Sequence, residues 1–92
     1  MTKSELISAM VADTGLPRQE VSATVESFMR VVKRVMIEEK EDVYLRSFGT
    51  FAVKRRAEKL ARNISKNTTV LIPAHDFPTF KASKQFIDEM AK

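Results

Sequence analysis

Phe48-Gly49-Thr50-Phe51-Ala52-Val53-Lys54-Arg55-Arg56 alternates in a way that divides an extended segment into two unlike faces. With a period of two, Phe51 and Val53 fall on one face, and Lys54, Arg56 and the following Glu58 on the other. One face therefore meets a core while the opposite face is cationic. Working outward, Val43 to Phe48 and Thr50 to Glu58 read as two strands joined at Gly49. From Lys59 to Val70 the hydrophobic alternation nearly vanishes, and Asn63 and Asn67 are the residues that most readily take up turn geometry. This segment reads as a long protruding β-ribbon or loop. Val70-Leu71-Ile72 return as a strand, Pro73 and Pro78 punctuate an edge, and Thr79-Phe80-Lys81 rejoin the core.

Upstream of the strands the periodicity is helical. Thr2-Lys3-Ser4-Glu5 has the form of a capping box, and Leu6, Ile7, Met10 and Val11 make one apolar stripe behind it. Gly15 supplies a left-handed stop, and Pro17 stands at or beside the first turn of a second helix that runs to about Glu38 or Glu39. In that helix the apolar residues between Val21 and Met36 spread over roughly 160°, wider than the ~100° needed to meet one core. A second chain covering the additional apolar surface is the expectation. The acidic cluster Glu38, Glu39, Glu41, Asp42 reads as a solvated turn at the helix end. At the other end of the chain Ser83 is an N-cap for a short helix with Phe86, Ile87 and Met90 facing inward and Lys84, Asp88 and Lys92 outward.

The chain has 92 residues, no cysteine and a net charge of +4, enough for one domain with a modest core and no disulfides to support it. The charge is unevenly placed. Residues 1–42 hold 6 basic and 8 acidic side chains, whereas residues 43–92 hold 10 and 4. Lys54, Arg55, Arg56, Lys59, Arg62 and Lys66 crowd one stretch in which Glu58 is the single acid. Such mutual repulsion is accounted for if a polyanion normally lies against it. Residues 1–9 contain no apolar run and nowhere do 18 apolar residues follow one another, so neither a secretory signal nor a membrane partner is expected, and a cytoplasmic location is. Without export, the glycosylation-like triplets at Asn63 and Asn67 carry no meaning.

Catalytic chemistry finds little to work with. No cysteine is present, the one histidine, His75, stands beside Asp76 without further ligands at metal spacing, and the two glycines lie too far apart for a phosphate loop. No enzyme activity, metal or cofactor is expected.

The order Thr2-Lys3-Ser4-Glu5-Leu6-Ile7, Phe48-Gly49-Thr50-Phe51, Arg62-Asn63, Ile72-Pro73-Ala74 and Phe77-Pro78-Thr79-Phe80-Lys81 resembles the HU/IHF family of bacterial DNA-bending proteins. The resemblance implies an α+β fold. Its form would be an intertwined dimer with a helical body (residues 1–42), an antiparallel β-saddle (43–82) whose ribbon arm covers about 59–70, and a C-terminal helix (83–92). It also implies binding of double-stranded DNA with little sequence preference, bending through the minor groove, and organisation of the nucleoid. The second chain would be an identical copy, or a related one in a heterodimer. Lys54 and Arg56 match basic saddle and arm-base positions, and Arg62 and Asn63 match the arm tip. Lys81, Ser83 and Lys84 match the flank where phosphates rest. With Arg55, Lys59 and Lys66 from the charged stretch, these are the candidate DNA-binding residues.

Phe48, Phe51 and Phe80 match core aromatics. Where the family's arm tip is usually Gly-Arg-Asn-Pro, this chain has Ala61-Arg62-Asn63-Ile64, which makes Ile64 the candidate wedge between base steps. Asp76 stands where the family is often basic, and Ser83 where it often has glycine. The rival readings are binding of RNA or single strands, for which one tyrosine is a poor stacking platform, and a structural oligomerisation module whose arms grip protein.

Overall fold

A computed structural model describes residues 1–63 and 65–92; the candidate wedge Ile64 lies outside the described residues. Helix α1 (Lys3–Thr14) begins as its sequence implies. The Thr2 hydroxyl accepts from the Glu5 backbone N–H at 3.2 Å and donates to the Glu5 carboxylate, so Glu5 does reach back. Gly15, at φ 74°, ends the helix in the left-handed region that a side chain would disfavour. Helix α2 (Arg18–Arg34) follows directly, capped by Pro17. It is tied to α1 by the Lys3–Glu26 ion pair and by Arg18, whose guanidinium donates to the Ser8 hydroxyl at 2.7 Å and to Ser4.

The helix continues to Glu39 through a widened π turn, Val35–Glu39, and Lys40 in left-handed geometry (φ 56°) closes it by donating its N–H to the Val35 carbonyl. The acidic residues beyond are more than a solvated turn. Asp42 accepts from the Val53 N–H at 2.8 Å, extending the pairing of the strand that starts beside it.

Strands β1 (Val43–Leu45), β2 (Gly49–Arg56) and β5 (His75–Ala82) form an antiparallel sheet in the order β1-β2-β5. The join between β1 and β2 is not at Gly49, as the sequence suggested. The chain turns through Arg46-Ser47-Phe48, with the Phe48 N–H donating to the Leu45 carbonyl and Ser47 at φ 66°. Gly49 is instead the first residue of β2, paired with Leu45 on one side and Ala82 on the other. A Cβ there would lie 2.5 Å from Phe80 Cζ and 2.6 Å from the Lys81 carbonyl oxygen. The glycine is required by close packing rather than by a turn. β2 also stops at Arg56, leaving Glu58 outside the strand.

Beyond this sheet β3 (Lys59–Asn63) and β4 (Thr68–Ile72) make a separate two-stranded antiparallel ribbon, with Asn63 opposite Thr68 and Lys59 opposite Ile72. Asn67 takes positive φ (52°) in its turn, whereas Asn63 closes the strand. The ribbon expected from the sequence is present.

The sheet covers the helices through aromatic contacts: Phe28 of α2 meets Phe51 at 6.1 Å between ring centres, Phe51 meets Phe80 at 5.0 Å, and Phe48 meets Phe80 and Phe86. Phe86 belongs to α3 (Lys84–Met90), whose N-cap Ser83 accepts from the Phe86 N–H at 3.1 Å. Of the three α3 residues expected to face inward, Phe86 does, but Ile87 and Met90 are 55% and 79% exposed in the single chain. No residue of this seven-residue helix is buried in the single chain, and Phe86, packed on Phe48, is the half-buried one of the three.

Candidate nucleic-acid interface

The register of β2 with β5 defines the faces. Phe51 pairs with Phe80 and Val53 with Pro78 on the face that meets α2; Thr50 pairs with Lys81, Lys54 with Phe77 and Arg56 with His75 on the outer face. Lys54 and Arg56 thus project away from the helices, as the alternation implied. The Arg56 guanidinium lies over the Phe77 ring, 4.4 Å from its centre. That stacking orients the cation outward and adds an aromatic support that β-strand alternation alone could not reveal, because it depends on which β5 residue sits diagonally across from Arg56.

Arg55 is placed differently. It shares the helix-side face with Val53 and pairs across the sheet with Asp76. Asp76 accepts from Arg55 Nη1 at 3.2 Å and from Lys40 Nζ at 3.1 Å. The hydrogen bond from Lys40 and then that from Arg55 hold the Asp76 carboxyl below the ordinary aspartate range. Asp76 therefore joins the segment just after α2 to both strands at the point where the arm leaves the sheet.

Along the arm, Lys59 opens β3 and Arg62 stands opposite Thr69. Arg62 Nη2 donates to Asn67 Oδ1 at 2.7 Å, bracing the guanidinium across the end of the ribbon. Lys66 lies in the turn and Asn63 at the strand end. On the flank Lys81 is exposed on the outer face, Ser83 is engaged in capping α3, and Lys84 begins that helix, exposed. The structure accordingly places Lys54, Arg56 and Lys81 on one face and Lys59, Arg62 and Lys66 along the ribbon, while Arg55 sits behind the sheet edge in an ion cluster.

Among the paired positions of the outer face there is no carboxylate. Among the described residues no cluster of His, Asp or Glu could hold a metal ion, and no helix is long and apolar enough to cross a membrane. What this surface offers chemically is a line of cations on a rigid sheet leading into a narrow cationic ribbon.

Comparison with known proteins gives the same direction. The model for the family described as bacterial DNA-binding protein matches residues 1–91. The chain is 34% identical over 92 residues to the DNA-binding protein HU of Clostridium pasteurianum, with the whole of both chains covered. It is 37% identical to the DNA-binding protein HU-beta of Pseudomonas aeruginosa, covering 96% of this chain and 97% of the relative. The solved structure of an Anabaena HU–DNA cocrystal superposes with a TM-score of 0.90 at 26% identity, covering 99% of this chain and 98% of that one.

Proposed function

The chain belongs to the bacterial DNA-binding protein family, and on that premise we propose that it is an architectural protein that binds double-stranded DNA with little sequence preference, bends it through the minor groove and organises the nucleoid in the cytoplasm. The observation that carries this reading is the continuity of the outer face with the ribbon: Lys54 and Arg56 lead directly from a rigid sheet into an arm bearing Lys59 and Arg62. Cations on phosphates supply affinity without reading bases, because phosphates are the same at every sequence.

Five residues per arm strand reach about 17 Å at ~3.3 Å per residue, enough to follow a minor groove around part of the duplex. Proteins of this kind, HU and IHF among them, unstack a base step with an apolar wedge at a cost of a few kcal/mol, offset by the additional phosphate contact that a bend permits. Ile64 is the residue of this chain suited to that role. Two copies would set two arms on one saddle, giving the bend its symmetry.

Titration of intact duplex DNA, nicked duplex and duplex RNA of equal length across a salt series tests the reading. Duplex DNA should bind, with log K falling linearly in log salt and a slope of several released ions. Preference for the RNA would replace DNA by RNA as the ligand, and a slope near zero would favour a module that grips protein.

A further inference from the structure

We propose that Tyr44, Thr50 and Lys81 form a phosphate-binding row across the outer face of the sheet, with Tyr44 as a DNA-contacting residue; the inference rests on the DNA-binding reading above. One residue comes from each strand. Tyr44 of β1 pairs with Thr50 of β2, and Thr50 pairs with Lys81 of β5, so all three side chains share one transverse row on the face opposite Phe51 and Phe80. Cross-strand neighbours are about 5 Å apart, which puts two hydroxyls and an ammonium within about 10 Å of one another.

None of the three polar ends has a hydrogen-bond or ion-pair partner among the described residues. Tyr44 is 72% exposed although its chain neighbours Val43 and Leu45 are half-buried against the core. A tyrosine so placed presents an apolar ring and a single donor to whatever lies on the sheet. The row continues the track of Lys54 and Arg56. From Arg56 to Thr50 along β2 is about 20 Å at ~3.4 Å per residue, a length over which a duplex strand presents several phosphates. Hydroxyl and ammonium donors with no carboxylate among the paired positions of their face match a phosphodiester, and the nearby Asp42 carboxylate is engaged by the Val53 N–H; the ring can lie against the adjoining sugar.

The chain has one tyrosine and no tryptophan, so its intrinsic emission reports on Tyr44 alone. Labelled duplex is titrated into the full-length protein while anisotropy and tyrosine emission are followed together. Wild-type emission should change in step with anisotropy. Tyr44→Phe, folded as judged by circular dichroism, should bind about fivefold more weakly at every salt concentration with an unchanged salt slope, since a lost neutral donor releases no counterion. Lys81→Ala should lower the slope by about one. If the wild type binds duplex but its emission stays constant and Tyr44→Phe binds equally well, the row is overturned while the DNA-binding reading stands. Failure of the wild type to bind duplex at all overturns both.

Discussion

Two single residues show how local sequence and distant packing divide the work. Gly49 lies between two aromatic residues in a stretch that invites a turn, yet it is needed because Phe80 and the Lys81 carbonyl occupy the space a Cβ would take. Nothing adjacent in the chain announces that approach; it exists only once β5 is laid beside β2. Gly49→Ala should therefore cost about 1–3 kcal/mol through overpacking, read as a lowered denaturation midpoint with unchanged denaturant sensitivity. Asp76 presents the converse case. Its carboxylate is 26% exposed and held by Lys40 and Arg55, so its folded pKa is lower than its unfolded one, near 3.8. The stability it contributes is complete above that unfolded value and is lost as the pH falls through the lower folded value. Asp76→Asn should flatten the wild-type loss of stability in that acid window, and equal slopes for the two proteins in acid denaturation would show that the cluster holds nothing.

At the scale of elements, the arm can be separated into two energy terms. Arg62, braced on Asn67 at the ribbon end, is a cation. Arg62→Ala should weaken binding to every sequence and reduce the salt slope by about one. Ile64→Ala removes no charge, so affinity should largely survive while the bend, followed by end-to-end fluorescence transfer on a duplex of fixed length, becomes markedly smaller. An unchanged bend would remove Ile64 from the mechanism. The elements themselves differ in how plainly they stand in the sequence. α1 is written locally, in Thr2, Glu5 and Gly15, because caps act within one turn. The ribbon is legible through missing alternation and the turn propensity of Asn67. The π turn at Val35–Glu39 is not, since its apolar and acidic residues fit an ordinary helix equally well. The alternation that turned Lys54 and Arg56 outward also put Arg55 with Val53, but its engagement with Asp76 needed the β2–β5 register, which alternation does not supply.

For the whole molecule, the dimensions of one chain argue for a second. A compact monomer of 10.5 kDa should expose about 5,400 Å², whereas this chain exposes 7665 Å². Its radius of gyration is 18.6 Å, against about 12 Å for a compact chain of its length. The protruding ribbon, with Leu60, Val70 and Leu71 exposed, accounts for part of the excess, but apolar residues are exposed on the helices and the sheet as well. Phe28, Met29 and Val31 on α2, Phe48 and Phe80 under the sheet, and Ile87 on α3 all remain exposed, while the buried apolar side chains among the described residues are Ile7, Val21 and Met36. A core of that size cannot offset the conformational entropy of the chain. The wide apolar arc of α2, read first from its periodicity, is the surface a second copy would cover, and covering it would bury the exposed phenylalanines at the same time. Folding and association should therefore be one event. The thermal midpoint should rise with protein concentration, as mass action requires when the folded state is a dimer. Sedimentation at micromolar concentration should give twice the chain mass. A folded species of single-chain mass, with a midpoint indifferent to concentration, would mean that α2 covers its own apolar arc in solution and that the two-armed saddle is not how this protein holds DNA.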